Sequence, residues 1–302
     1  MVLNLKNFIE LTIPHYLIIV LISPLAAFLV INQQFPNNIN ILMIIGSLSL
    51  AVLGFNTLNM VFDLNIDKID KPKRPLPNGQ VTLEEAKYLA IVLLALSLVS
   101  TFLVNNFFTL LIIGFIIVAY FYSAPQLYIK KYWWGSTFTG MVLYGIIPFL
   151  SAASISSNEI PIIFLIFFVA LFSIISNIKD FEDTVGEEKN KIKSLPLILG
   201  TKNTTILILA TPILLTISMG GLATLNIIPQ KFLYAAIIST LFLISSTNII
   251  WKEIRKITYQ NIIFKELKSD RTKEIITQSN AVTLTVIITL MVQITFALVS
   301  II

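Results

Sequence analysis

A chain of 302 residues that is 56% hydrophobic and only 12% charged, with a mean hydropathy of +0.87, lies far outside the range of a soluble globular domain. It has no cysteine, which excludes disulfides, thiolate catalysis and cysteine-ligated zinc or iron–sulfur centres. The net charge of +5 comes from lysines and arginines gathered between apolar runs, so it reports membrane topology and argues against nucleic acid as a partner.

A helix needs about 20 mostly apolar residues to cross a bilayer. Runs of this kind cover residues 11–31, 41–62, 88–104, 107–123, 135–153, 160–176, 204–224, 232–250 and 281–300. The expected fold is therefore all-α, a polytopic membrane protein with nine transmembrane helices around a central cavity. The first run carries Pro14 and Pro24 and is followed by eight more, so it reads as a span and not as a cleaved signal peptide. Before it, residues 3–10 read as an interfacial helix, and the single histidine, His15, is given no role.

The loops after the second, fourth, sixth and eighth runs hold 19 of the 21 Lys and Arg residues. Excess positive charge marks the cytoplasmic side, which places the N-terminus and these loops inside, the C-terminus outside, and the chain in the plasma membrane. The same loops hold 14 of the 16 Asp and Glu residues, and no carboxylate lies mid-span. Ion-coupled transporters usually carry ionisable groups or broken helices near the midplane, so this pattern weighs against transport.

Leaving the second run, Asn59, Asp63 and Asp67 recur every four residues, a spacing that stacks them on one helical face. Lys68, Lys71, Lys73 and Arg74 follow, then Pro72, Pro75, Pro77 and Asn78-Gly79 break the helix, and Thr82 with Glu85 forms a capping box that opens the next. After the fourth run come Tyr122, Lys130 and the pair Trp133-Trp134, the last two read as membrane-edge anchors. After the sixth, Asn177 is followed by Asp180, Asp183 and Glu187 at i, i+3 and i+7, again one face. Each acidic cluster is followed by a basic loop and a Leu-Pro, which suggests one domain over residues 1–302 with a weak internal repeat, about 11–134 and 135–250, and an added ninth helix at 281–300. Residues 251–280, the longest basic loop, read as an amphipathic helix on the anionic inner leaflet.

Two facing carboxylate clusters beside lysines and arginines suit a diphosphate bridged by Mg²⁺. Carboxylates alone would repel the anion, whereas Mg²⁺ shares its oxygen coordination between one or two carboxylates and substrate phosphates. A charged head at the bilayer edge with a hydrocarbon tail inside it is the shape of a prenyl diphosphate.

These residues resemble the UbiA-type intramembrane prenyltransferases. The resemblance rests on Asn59-x-x-x-Asp63-x-x-x-Asp67, Arg74-Pro75-Leu76-Pro77-x-Gly79, Tyr122-Ser123-Ala124-Pro125 with Lys130, and Asp180-x-x-Asp183-x-x-Gly186-Glu187 leading to Lys193-Ser194-Leu195-Pro196. Two positions depart from the commoner pattern: Met60 stands where many members have Asp, and Glu187 where Asp is usual. The resemblance implies Mg²⁺ held by Asn59, Asp63, Asp67, Asp180, Asp183 and Glu187. It implies catalytic roles for Asp63, Asp67, Asp180, Asp183, Arg74, Tyr122 and Lys130, and substrate contacts from Asn56, Asn59, Arg74, Lys130 and Lys193. Tyr122, with Phe55, Phe62, Tyr120 and Tyr144 as further candidates, would offer a π face to an allylic cation. Implied partners are a prenyl diphosphate, a lipophilic or aromatic acceptor and membrane lipids, with no obligate protein partner. The run from Asp67 to Pro77 looks most like the archaeal lipid branch, which prenylates geranylgeranylglyceryl phosphate. Aromatic and quinone-precursor acceptors stay open beside it, as does a transporter or lipid-binding role for an anionic head group.

Overall fold

The computed structural model describes residues 4–13, 16–37, 39–267 and 280–302, and among these it is helical throughout with no strand. Pro14 and His15, and the last part of the long basic loop, lie outside the described residues. An all-helical answer follows from the solvent: lipid offers no hydrogen bonds, so each backbone must satisfy its own.

In the N-terminal half, α1 (Leu5–Thr12), α2 (Leu17–Asn32), α3 (Asn40–Phe62) and α4 (Leu64–Asp70) lead through the proline loop to α5 (Leu83–Thr101) and α6 (Asn106–Ser123). The second half begins with α7 (Gly135–Gly140), a π-helical segment (Met141–Ile146) and α8 (Ile147–Ala153), which run on as one rod. Then follow α9 (Ile162–Ile175), a 3-10 turn (Ser176–Lys179), α10 (Asp180–Lys189), α11 (Leu195–Thr224), α12 (Lys231–Leu267) and α13 (Asn280–Ile301).

Among the described residues seven helices are long and apolar enough to cross a membrane, and eight if α1 and α2, bent by 57° to one another, count as one span. The ninth expected span falls in α5, which is apolar from Tyr88 onward but is not one of the seven. Glu84, Glu85 and Lys87 in its first turns are the difference. The first run does not form one straight helix from residue 11 either. Ile13 takes a left-handed φ of 46° and ends α1, so the apolar crossing begins at Leu17.

The helices close a ring. α2 packs on α3, α8 and α13, α3 on α5 and α6, α9 on the π segment and α11, and α12 on α11 and α13. Lipid tails give helices no hydrophobic reason to associate, so small residues and interhelical hydrogen bonds hold the contacts. Between α3 and α5, Ser97 donates to the Ser47 carbonyl at 2.7 Å and Gly54 lets Leu94 in so close that a Cβ would sit 2.8 Å from its Cγ. Between α2 and α13, Ser23 donates to Gln293 at 2.9 Å and Ser300 to the Leu29 carbonyl at 2.9 Å.

The expected capping box is present, with Thr82 accepting from the Glu85 N–H at 3.2 Å and Glu85 accepting from the Thr82 N–H at 2.9 Å. The membrane-surface expectation for the long basic loop needs correcting for its first part, up to Tyr259. There α12 simply continues, burying Ile250, Ile254 and Ile257 in the main core and packing on α10. Gly200, at φ 77°, kinks α11 and separates the short segment headed by Leu195-Pro196 from the membrane-spanning part. Trp133 and Trp134 are exposed at 54% and 40%.

Candidate active site

The chain leaves α3 at Asp63, whose φ of −85° and ψ of 9° end one helix and begin the next. Asn59, Asp63 and Asp67 thus sit on two helices and not on one continuous face, yet all three line the same cavity. The same plan recurs after α9, where the 3-10 turn carries Asn177 and Lys179 and hands over to α10 with its acids. α4 and α10 pack on each other. Their contact is set by Gly186, whose N–H is held by both oxygens of Asp70 at 2.9 and 3.0 Å; a Cβ there would lie 2.2 Å from Asp70 Oδ2. Burial and the neighbouring Asp183 push the Asp70 carboxyl up to about 8.

The cavity encloses about 1120 Å³ including its open mouth. Its mouth is polar, with Asn59, Asp63, Asp67, Lys71, Arg74 and Asp183 in the wall, and its depth is aromatic, with Tyr16, Phe55, Tyr144 and Phe172. Tyr16 and Tyr144 stack at 6.1 Å with their planes 11° apart.

Three of the mouth's acids are paired with cations. Arg74 donates to Asp67 Oδ2 at 2.8 Å, and Lys130, from the turn after α6, donates to Asp63 Oδ2 at 2.8 Å with Glu187 at 3.8 Å on its other side. Lys71 contacts Asp183 and lies 3.7 Å from Glu182. Burial alone would lower both lysines, but Asp183 beside Lys71 and the Asp63 and Glu187 carboxylates beside Lys130 hold each ammonium above its ordinary value. Among the described residues four carboxylate oxygens, Asp63 Oδ1, Asp180 Oδ2, Asp183 Oδ1 and Glu187 Oε2, are buried without a hydrogen-bond partner, Asp183 Oδ1 meeting Lys71 as an ion pair instead. Such atoms are costly in a dry site unless a ligand completes them. Among the described residues no three carboxylates converge as a ready metal cage.

Other expected residues take different places. Asn56 lines the cavity, but its amide is spent on the Thr12 carbonyl at 2.8 Å and the Ile13 carbonyl at 3.3 Å, where it pins the end of α1. Tyr122 is fully buried behind the wall, against Phe55 at 6.0 Å, with the Lys179 ammonium 4.6 Å from its ring centre. The lysine meets the hydroxyl end of that ring, to which it donates at 2.7 Å, and the ring is not part of the cavity lining. Phe62 and Tyr120 pack edge to face at 5.9 Å and are not part of the lining. Lys193 is exposed and outside the lining, its N–H bonded to the Lys131 carbonyl at 3.0 Å. Asn59 accepts from Ser123 at 2.8 Å, which fixes its carbonyl oxygen. Met60, in place of the commoner Asp, is fully buried in a small apolar cluster with Leu11, Val61 and Leu76, so an acid there would face no metal.

Sequence reasoning missed four participants: Lys71, Lys179, Glu182 and Ser136, the last donating to Asp180 at 3.0 Å. The spacing Lys71–Arg74 was a usable signal, since it puts both cations just past the acids of α4. Ser136 had none, because its partner lies 44 residues away.

A family model described as the UbiA prenyltransferase family matches residues 17–264. Among similar proteins, digeranylgeranylglyceryl phosphate synthase of Methanocaldococcus jannaschii is 35% identical over 150 residues, which take in 49% of this chain and about half (51%) of that one. The synthase of the same description from Thermococcus kodakarensis is 27% identical over 249 residues, 78% of this chain and 87% of that one. Among solved structures, a UbiA homologue from Archaeoglobus fulgidus bound to GPP and Mg²⁺ matches with a TM-score of 0.68 at 19% identity, covering 98% of this chain and 99% of the other. A structure described as giving insights into digeranylgeranylglyceryl phosphate synthase in membranes matches with a TM-score of 0.63 at 22% identity, covering 98% of both chains.

Proposed function

The chain belongs to the UbiA prenyltransferase family, and from that premise we propose that it transfers a prenyl group from geranylgeranyl diphosphate to the hydroxyl of geranylgeranylglyceryl phosphate within the membrane. The observation that carries this reading is the packing of α4 on α10, which brings Asp63, Asp67 and Asp183 with the cations Lys71 and Arg74 into the wall of one cavity with an aromatic interior. Lys130, Asp180 and Glu187 stand outside the lining, Lys130 bridging Asp63 and Glu187 there. The synthases it resembles support the choice of acceptor.

Mg²⁺ fits the donor set. The ligands are all hard oxygens, Asp63 Oδ1 and Asp180 Oδ2 stand ready, and the lack of a closed protein cage suits an ion that keeps waters and shares itself with phosphates. Asn59, Asp63 and Asp67 on one side and Asp180, Asp183 and Glu187 on the other are the residues that would hold it. When bound, it would supply positive charge to the leaving diphosphate.

In the reaction the C1–O bond of the allylic diphosphate breaks and its electron pair leaves with the diphosphate. Arg74, Lys71 and Lys130 meet the growing negative charge. The allylic cation left behind is kept from water by the apolar depth of the cavity, where Phe55, Tyr144 and Phe172 offer their rings. The acceptor's hydroxyl oxygen then bonds to C1, and its proton passes to the released diphosphate. Asn56 acts indirectly by pinning the α1–α2 break that forms part of the wall.

We read the fold as two halves of one domain, because α3 hands over to α4 as α9 hands over to α10, with α13 added. Charge placement supports plasma-membrane residence with the N-terminus and the α4–α10 mouth cytoplasmic and the C-terminus outside. The test is to supply membranes holding the protein with Mg²⁺, geranylgeranyl diphosphate and either geranylgeranylglyceryl phosphate or 4-hydroxybenzoate, and to read products by mass. A digeranylgeranylglyceryl phosphate product is expected; prenylated benzoate alone, or no product, rejects the reading.

A further inference from the structure

Four cations stand at or just behind the cavity mouth, and one of them differs from the rest. Lys71, Arg74 and Lys130 each have a carboxylate partner. Lys179 lines the cavity but has no carboxylate oxygen within 4.0 Å among the described residues. Its ammonium donates one hydrogen bond, to the Tyr122 hydroxyl at 2.7 Å.

The hydrogen bonds behind it run in one direction. Ser136 donates to Asp180 Oδ1 at 3.0 Å, so the 3.2 Å contact between Ser136 and Tyr122 is a donation from the phenol. The phenol proton is thereby committed, Tyr122 stays neutral, and its oxygen accepts from Lys179. A lysine ammonium carries three donors, and this arrangement uses one. Among the described residues the other two have no hydrogen-bond partner, and Lys179 lines the cavity.

The same wall holds a second unfilled group. Thr139 is 3% exposed, lines the cavity, and its hydroxyl has no partner among the described residues. Buried threonines elsewhere in these helices turn back onto a carbonyl four residues earlier, as Thr57, Thr204 and Thr289 do. Thr139 does not. It lies about one helical turn beyond Ser136 on α7, and α7 is bound to the Lys179 turn by the Ser176 hydroxyl, which donates to the Ser136 carbonyl at 2.8 Å. Gly140 makes this approach feasible, since a Cβ there would fall 2.3 Å from Ser176.

We propose that Lys179 and Thr139 form a subsite for the anionic group of the acceptor, on the wall of α7 and its neighbouring turn and apart from the diphosphate clamp of α4 and α10. A cation not spent on a carboxylate binds an anionic oxygen directly, and the neutral Thr139 hydroxyl in the same cavity lining takes a second oxygen of the same ligand. The ligand class is a monoanionic or dianionic phosphate or carboxylate on a lipid-like body. This proposal rests on the prenyl-transfer reading above.

The test measures binding and turnover separately on the purified full chain in detergent. Calorimetric titrations use geranylgeranylglyceryl phosphate, its neutral analogue geranylgeranylglycerol, and geranylgeranyl diphosphate with Mg²⁺. Lys179→Gln should weaken the phosphate lipid by about tenfold or more, the scale of one charged hydrogen bond. It should leave the neutral lipid and the diphosphate within about twofold. Lys179→Arg should restore most of the loss. Thr139→Val, an isosteric change, should weaken the phosphate lipid several-fold without lowering the melting temperature, whereas a structural hydroxyl would lower it. Thr139→Val carries the test alone if Lys179→Gln does not fold. Unchanged affinity for the phosphate lipid, or an equal loss for the diphosphate, overturns the proposal. If the lipid binds through Lys179 but no product forms, the transfer reading fails and the subsite stands. Product formed equally by wild type and Lys179→Gln, with equal affinity, gives the converse.

Discussion

Gly186→Ala tests the joint between the two acidic helices. The new Cβ would stand 2.2 Å from Asp70 Oδ2 and 3.0 Å from Ile66 Cγ2, well inside contact distance. Asp70 can swing aside, but only by giving up the bonds at 2.9 and 3.0 Å that hold α10. Asp70, raised to about 8, is mainly neutral at neutral pH, so its hydrogen bond contributes ~0.5–1.5 kcal/mol, and residual overpacking adds ~1–3 kcal/mol. Alanine in place of glycine returns ~1 kcal/mol of helix propensity, for a net loss of roughly 0.5–3.5 kcal/mol. Unfolding in detergent should show this loss, and transfer should fall further than the folded fraction, because the spacing of α4 and α10 sets the mouth. Asp70→Ala removes the bonds and the Asp70 clash and leaves only the Ile66 contact at 3.0 Å, so Gly186→Ala added to Asp70→Ala should cost much less than Gly186→Ala alone. Strict additivity of the two changes would refute the assigned contact.

Lys130→Met leaves Asp63 and Glu187 buried without their cation and should destabilise by ~3–5 kcal/mol, read by thermal unfolding; adding Asp63→Asn should recover much of the stability but not the transfer activity. Asp70 gives a pH dependence. Its folded value of about 8 is above its unfolded one, so its contribution is full below about pH 4 and is lost as pH rises through 8. The melting temperature should therefore fall between pH 6 and 8.5, with a shallower slope in Asp70→Asn, which keeps an acceptor for the Gly186 N–H; equal slopes would contradict this.

The features the sequence made legible are those written in local spacing. Apolar length gave the helices, Thr82 and Glu85 gave the cap, and the recurrence of acids after residues 59 and 177 gave two clusters at one end of the bundle. The break at Asp63 was not legible, because neither proline nor glycine marks it and the helix is ended by where α4 must go to meet α10. Pairing was also hidden. Lys130 reaches Asp63 across 67 residues and Gly186 meets Asp70 across 116, choices made by packing and not by neighbours in the chain. Tyr122 shows the cost of reading a motif without depth: it is a residue of the site, but its hydroxyl serves Lys179 behind the wall. Met60 shows the reverse, since a departure from the usual pattern turns out to lie in an apolar cluster.

The central claim is that the acids of α4 and α10 act as one diphosphate site, and the most direct measurement is the Mg²⁺-dependent rate of geranylgeranyl transfer in Asp63→Ala and Asp180→Ala beside the wild type. Each variant loses oxygen ligands for a charge that develops in the transition state, an effect on the order of 10²–10³ in rate. Both variants should fall by that much while still folding and inserting; transfer at the wild-type rate by either one would contradict the account.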